Sequence, residues 1–119
     1  MNYAGKRVLV TGGLGFIGSN LAVRLARDGA EVTVLDSTVR GCGANTHNLE
    51  PFLTQIRVIN ADIGALASYH RDVVYTDVVF NMAGEISHIN SMRDPVRDLE
   101  LNTTSQLRFL LALREICPG

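Results

Sequence analysis

The sequence predicts an α/β fold in which an open, doubly wound parallel sheet carries helices on both faces. Short valine-rich runs alternate along the chain with segments of helical periodicity, which is the order that a parallel sheet requires. Four glycines lie between the first of these runs and the segment that follows it. The 119 residues are 46% hydrophobic and 19% charged, and they supply enough apolar material for one packed domain over residues 1–119.

The first three elements are predicted to form a strand–helix–strand unit. Residues 6–11 (KRVLVT) are a short apolar run, which is typical of a strand buried on both faces. Apolar residues then recur every four positions, and this predicts a helix that ends at Asp28-Gly29. Residues 31–36 (EVTVLD) are predicted as the second strand, so the three elements make a right-handed βαβ unit. The apolar stripe of the helix consists of Ile17, Leu21 and Leu25.

The rest of the chain continues the alternation. A loop is predicted over 37–46, a short helical piece over 49–53, strands over 56–61 and 77–82, a helix over 63–74, an irregular segment over 85–94 and a long helix over 96–117. Pro95 suits the first turn of that last helix. Its core face is predicted to consist of Leu99, Thr103, Leu107, Leu110 and either Leu111 or Leu113.

The expected strand order is 3-2-1-4, in a sheet that stops after about four strands. The direction of winding then changes between the first and fourth strands. A ligand is expected at their carboxyl ends, where residues 12–18 and 81–84 meet.

The glycines fit a phosphate-binding turn in two overlapping frames, G-x-G-x-x-G from Gly13 and G-x-x-G-x-x-G from Gly12. In such a turn the backbone approaches a pyrophosphate, which lies at the N-terminus of the following helix. Ser19 rather than lysine follows Gly18, which excludes a Walker loop. These residues therefore predict a Rossmann-type dinucleotide site; the alternative is a glycine-rich turn without a ligand.

Asp36 ends the second strand, 18 residues after Gly18. A carboxylate there accepts hydrogen bonds from the adenosine ribose hydroxyls and repels a 2′-phosphate. The predicted cofactor is therefore NAD rather than NADP.

Several stretches resemble the extended short-chain dehydrogenases/reductases. Residues 11–19 (TGGLGFIGS) resemble the TGGxGFIGS signature of the NAD-dependent epimerase/dehydratase family, which includes nucleotide-sugar epimerases and dehydratases. Residues 81–84 (NMAG) stand where that family has H-x-A-[AG] along the cofactor. Ser91, Asp94-Pro95 and Asn102 match its S-x-x-[DE]-P-x(6)-N spacing.

The resemblance implies a set of cofactor contacts. Asp62-Ile63 resembles the family's Asp-Ile after the third strand, where the Asp meets the adenine amino group, and Asn102 corresponds to an Asn near the nicotinamide ribose. The implied cofactor-binding residues are Gly12, Gly15, Phe16, Ile17, Gly18, Asp36, Asp62, Ile63, Met82, Ala83, Gly84 and Asn102.

The chain departs from the family pattern in two places. Asn81 replaces the usual His, and Asn-x-Ala-Gly is also similar to the shorter branch of the superfamily. Ser105 and Gln106 replace the usual Gly-Thr after Asn102. We expect neither departure to abolish dinucleotide binding.

The family's active site uses a Ser or Thr and a Tyr-x-x-x-Lys pair, in which the Tyr is general base toward a sugar hydroxyl and the Lys lowers its pKa. None of the three tyrosines, Tyr3, Tyr69 and Tyr75, has a lysine four positions on, and Lys6 is the only lysine. We therefore expect no catalytic residue here. The chain is expected to be the amino-terminal, NAD-binding part of an epimerase (an isomerase) or dehydratase, whose complete form takes a nucleotide sugar. The alternative is a stand-alone, non-catalytic dinucleotide-binding module.

The family usually dimerises through helices that include the one after strand four, so the resemblance implies a homodimer. The formal net charge is −1 and there is no basic block, so nothing in the sequence points to a nucleic-acid partner, and none is expected. No apolar run is long enough to span a membrane, and the N-terminus lacks a signal-peptide layout, so we expect a cytoplasmic protein.

No metal spacing is present among the cysteines and histidines, and no metal site is expected. Arg40 is interpreted as a surface loop residue, although it could approach an adenosine phosphate. Glu85, Ser87, His88 and Ser91 are either plain loop residues or substrate contacts. The cysteines and histidines that lack metal-binding spacing are Cys42, Cys117, His47, His70 and His88.

Overall fold

The computed structural model describes residues 2–38 and 44–117. Four parallel strands form one sheet in the order β3-β2-β1-β4, which confirms the predicted doubly wound topology. The strands are β1 (Arg7–Thr11), β2 (Glu31–Asp36), β3 (Arg57–Asn60) and β4 (Val78–Asn81). The helices are α1 (Phe16–Arg27), α2 (His70–Val73), α3 (His88–Arg93), α4 (Pro95–Leu99) and α5 (Ser105–Ile116), with a π-helical segment (Glu100–Thr104) joining α4 to α5.

The core lies on both faces of the central strand β1, because alternate side chains of a strand point to opposite faces. On one face Val10 and Val34 pack in a cluster with Leu25 of α1. On the other face Leu9 packs in a second cluster that includes Phe109 of α5. Helices therefore cover both faces, as the unbroken apolar character of β1 requires.

Two predictions of local structure were wrong. The predicted helix over 63–74 is a 3₁₀ turn (Leu66–Ser68) followed by the single turn of α2. The Asp62 carboxylate accepts a hydrogen bond from the Gly64 N–H at 2.7 Å, and Gly64, which has low helical propensity, would lie in the first turn of the predicted helix. The segment over 85–94 is not irregular throughout, since it contains α3, whose N-terminus Ser87 caps by accepting from the Asn90 N–H.

The predicted core face of the long helix was also wrong, except at Leu113. Leu99, Leu107 and Leu110 are exposed by 58%, 58% and 54%, while Ser105 and Phe109 are buried. The helix turns polar or small residues inward over its first half, where it borders a cavity rather than an apolar core. Thr103 and Leu111 are exposed as well, and of the predicted set Leu113 packs against the core.

Asp77 links the start of β4 to the start of β1. Its carboxylate accepts a hydrogen bond from the Arg7 N–H at 2.8 Å and pairs with the Arg7 guanidinium at 3.4 Å. These contacts, the backbone hydrogen bond first, hold the pKa of Asp77 below its ordinary value of 3.8. Because the pKa is lowered in the folded state, the ionised carboxylate stabilises the fold fully at pH values above the ordinary pKa of 3.8. This contribution is lost as the pH falls through the lowered pKa of the folded state.

We therefore predict that Asp77→Asn lowers the melting temperature at neutral pH and that the difference from the original chain shrinks at pH values below 3.8. Thermal unfolding followed by circular dichroism across a pH series measures this. Glu115→Gln, which changes an exposed acid of α5 outside the Arg7 pair, is the control. Equal melting temperatures at neutral pH would contradict the assigned role of Asp77.

Candidate functional site

A cavity of about 310 Å³ opens at the carboxyl ends of the strands, where the turn after β1 faces the segment after β4. Eleven of the twelve residues predicted as cofactor contacts line it. They are Gly12, Gly15, Phe16, Ile17, Gly18, Asp36, Asp62, Ile63, Met82, Ala83 and Gly84. Sequence motifs separated by up to about seventy residues therefore meet in one place, because each follows the end of a strand.

The glycines of the turn after β1 have different structural roles. Gly12 has φ +65°, and a Cβ there would lie 2.7 Å from the Met82 carbonyl oxygen. A Cβ on Gly18 would lie 2.3 Å from the Gly12 carbonyl oxygen, and one on Gly13 would lie 2.6 Å from Cγ1 of Val34. These three glycines allow backbone and core to pack closely.

Gly15 differs from these glycines. A Cβ on it would have one near neighbour, the Gly12 carbonyl oxygen at 3.4 Å, and Gly15 itself lines the cavity. The missing side chain therefore leaves room for a ligand rather than for the protein's own backbone.

The N-terminus of α1 also borders this space. Gly15 is its N-cap, and within the described residues no side chain caps the helix and no acidic residue lies in its first turn. The helix dipole and the N–H groups of a first turn favour an anion at such a position. Phe16 and Ile17 line the cavity and are 82% and 66% exposed, so Ile17 does not join the apolar stripe predicted for it.

Asp36 is held at the cavity by the backbone. One carboxylate oxygen accepts a hydrogen bond from the Leu14 N–H at 3.1 Å, and the other accepts one from the Thr38 N–H at 2.9 Å. Each carboxylate oxygen has a second lone pair, so these contacts orient the group without exhausting its capacity to accept.

The segment after β3 forms another wall. Ile63 is buried, and its carbonyl oxygen accepts a hydrogen bond from the Tyr69 hydroxyl at 2.5 Å. Burial, with a smaller contribution from the Asp62 charge, raises the pKa of Tyr69 to about 12. Tyr69 therefore remains a protonated donor at neutral pH and serves as a structural support for this wall.

Asn102 does not line the cavity but stands behind it. Its side-chain oxygen accepts from the Glu85 N–H at 2.7 Å, and its amide nitrogen donates to the Glu85 carbonyl oxygen and to Asp98 at 3.0 Å each. The structure thus places Asn102 where it fixes the backbone of Glu85, which does line the cavity.

Sequence reasoning did not propose several lining residues. Most are small or apolar and follow the predicted strands, so their position relative to each strand was the available signal. From the sequence alone, Glu85 is either a loop residue or a substrate contact, and Gln106 is a departure from the family pattern. The added lining residues are Leu35, Ser37, Ala44, Ala61, Glu85, Ile86, Leu101 and Gln106.

The remaining candidates lie apart from the cavity or outside the described residues. Arg40 and Cys42 fall in the undescribed segment 39–43. His47 pairs with Glu50 at 3.2 Å, and His88 begins α3 without lining the cavity. Over residues 2–38 and 44–117 no cluster of three metal-ligating side chains occurs, and no helix is long and apolar enough to cross a membrane.

Comparison with known proteins identifies the class to which this fold and cavity belong. The model of the NAD-dependent epimerase/dehydratase family matches residues 8–118. Two relatives from Mycolicibacterium smegmatis are a UDP-glucose 4-epimerase, 35% identical over 113 residues, and a dTDP-glucose 4,6-dehydratase, 36% identical over 111. Each match covers 91% of this chain, and 34% and 33% of the respective relatives.

A solved structure agrees with the sequence comparison. The Bordetella bronchiseptica enzyme WbmF in complex with NAD+ matches with a TM-score of 0.84 and 30% identity, over 98% of this chain and 34% of that one. The chain belongs to the NAD-dependent epimerase/dehydratase family. It spans about a third of the length of these relatives.

The distinct roles of the glycines give a test. Gly18→Ala forces a Cβ against the Gly12 carbonyl, and we predict a loss of about 1–3 kcal/mol in the free energy of unfolding, as for other overpacked sites. Gly15→Ala, the matched control, meets no such contact and is expected to stay within about 0.5 kcal/mol of the original chain. Urea denaturation measures both, and equal losses in the two variants would contradict the assignment.

Proposed function

We propose that the cavity binds NAD and that the chain is the NAD-binding part of a nucleotide-sugar epimerase or dehydratase. The observation that carries this proposal is the open face of Gly15, which adjoins the cavity at the N-terminus of α1. A dinucleotide presents a pyrophosphate, which is the kind of anion that such a turn accommodates.

The residues of the cavity fit the parts of NAD. The backbone of residues 15–18 would hold the pyrophosphate, and Asp36 would accept hydrogen bonds from the adenosine ribose. Asp62 and Ile63 would border the adenine, and residues 82–84 would border the portion beyond the pyrophosphate. When bound, NAD supplies a hydride acceptor, and this chain's contribution is to bind and orient it.

The family membership favours this proposal over a stand-alone binding module. The relatives are named for reactions on sugars attached to UDP or dTDP, so we propose that the whole protein acts on a nucleotide sugar. The chain's own part of that activity is to hold the cofactor. The cytoplasmic location expected from the sequence stays a prediction.

Isothermal titration of the purified chain with NAD and with NADP tests the proposed cofactor. We predict tighter binding of NAD, because the Asp36 carboxylate repels a 2′-phosphate. Gly15→Val should abolish binding of both while leaving the chain folded, because its side chain occupies the open face of the turn. Gln55→Ala, in an exposed side chain outside the cavity, is the control. Equal or tighter NADP binding, or normal binding by a folded Gly15→Val, would refute the proposed site.

We also propose that the chain forms a homodimer through the outer face of α4 and α5. The resemblance to a family that usually dimerises through the helix after strand four supports this. A set of exposed apolar side chains on these helices also supports it. The set consists of Val96, Leu99, Leu107, Leu110 and Leu111, all of them exposed.

Combined substitution Leu107→Glu and Leu110→Glu is predicted to shift the chain to a monomer, because it places charges in an apolar interface. Sedimentation velocity over a concentration series measures the state. Leu53→Glu, which changes an exposed leucine outside these helices, is the control. A monomeric original chain at all concentrations would contradict the proposed dimer.

A further inference from the structure

Asn81 and Gln106, two of the three residues at which the chain departs from the family pattern, contact each other. The Asn81 side-chain nitrogen donates a hydrogen bond to the Gln106 side-chain oxygen at 2.7 Å. Asn81 ends β4 and Gln106 lies in the first turn of α5, 25 residues away. Two substitutions that look unrelated in the sequence are therefore the two halves of one interaction.

This pair belongs to a longer chain of hydrogen bonds with a single direction. The Thr11 hydroxyl donates to the Asn81 side-chain oxygen at 2.6 Å, and Asn81 donates to Gln106. The Gln106 side-chain nitrogen donates in turn to the Ala83 carbonyl oxygen at 2.9 Å. Each amide is donor and acceptor at once, a requirement that a side chain with only donors or only acceptors cannot meet.

The chain of hydrogen bonds begins and ends on the cavity wall. The Thr11 side chain is fully buried, and its oxygen accepts from the Met82 N–H at 3.0 Å and the Ala83 N–H at 3.2 Å. Gln106 holds the Ala83 carbonyl and itself lines the cavity. Three backbone groups of residues 82 and 83 are thus fixed by this network.

Gln106 also connects the wall to the π-helical segment. Its side-chain nitrogen makes a second hydrogen bond, at 3.2 Å, to the carbonyl oxygen of Leu101, another lining residue. π-helical turns occur frequently at functional sites, where they redirect side chains. Here Leu101, which belongs to the π-helical segment, accepts the hydrogen bond from Gln106, and both residues line the cavity.

We infer that Asn81 and Gln106 act as one coupled pair of positioning residues, which set the backbone of residues 82 and 83 and thereby the fit of the cavity to the part of a dinucleotide beyond its adenosine. This inference rests on the proposed NAD binding. Neither residue contacts Asp36 or Asp62 through the hydrogen bonds described, so the adenosine end of the site is independent of the pair.

A double-substitution cycle tests the coupling. Asn81→Ala removes two of these hydrogen bonds and Gln106→Ala removes three, and each variant is expected to weaken NAD binding by roughly 3- to 10-fold, on the scale of a hydrogen bond's net contribution. The double variant should be no weaker than about the poorer single variant, because the interaction is already lost. AMP affinity should stay unchanged in all three, whereas a general structural loss would lower it in parallel. Gln55→Ala is the matched control.

Amide hydrogen exchange without ligand supplies a readout that does not depend on NAD. The Met82 and Ala83 amides should exchange faster in both single variants, while the Val10 and Val34 amides of the core strands stay protected and show that the fold persists. Failure of the proposed function would appear as no NAD binding by the original chain, and exchange would still decide the coupling. Additive losses in the double variant, parallel losses of AMP affinity, or unchanged exchange at Met82 and Ala83 would each overturn the inference.

Discussion

The close approach of backbone to backbone in the turn after β1 is the constraint on which the rest of the site depends. The Gly12 carbonyl occupies the place that a Gly18 side chain would need, and Gly12 itself lies against Met82 and Ala83. Without these contacts α1 could not begin so near the sheet, and its N-terminus would not reach the cavity. Gly15 is not part of these close contacts, and its open face borders the cavity. The packing of the other glycines therefore determines where the turn leaves space for a ligand.

Parallel strand order extends this local constraint into a cavity. In a parallel sheet all carboxyl ends lie at one edge, so the residues that follow β1, β2, β3 and β4 become neighbours whatever their separation in sequence. That is why the sequence predicted the fold and most of the cavity lining: each motif directly follows an apolar run, and each predicted strand ends within one residue of the observed one. The glycine spacing and the acid at the end of β2 could be interpreted because their physical roles depend only on that position.

Helix faces were harder to predict, and the reason is physical. Apolar periodicity identifies the buried face of a helix only where the helix packs against an apolar core. The segment from Pro95 to Ile116 packs on the core through Phe109 and Leu113 but faces a ligand-sized cavity through Leu101 and Gln106. Its inner face is therefore mixed, and its leucine stripe points outward. The helix predicted over 63–74 does not form, for a different reason. The Asp62 carboxylate accepts from the Gly64 N–H, and the buried Tyr69 hydroxyl donates to the Ile63 carbonyl oxygen, so these hydrogen bonds fix the segment.

The departures from the family pattern show why residues that contact each other have to be interpreted together. Taken one at a time, Asn81 and Gln106 each weaken the resemblance, because each replaces an expected residue near the cofactor. In the structure they form one hydrogen-bonded unit between Thr11 and Ala83, and a unit of matched donors and acceptors can replace another without moving the backbone that it holds. Changing one member alone would leave a donor or acceptor without its partner, which costs more than the bond itself contributes. Two departures in contact are therefore better counted as a single change, because each supplies the hydrogen-bond partner of the other.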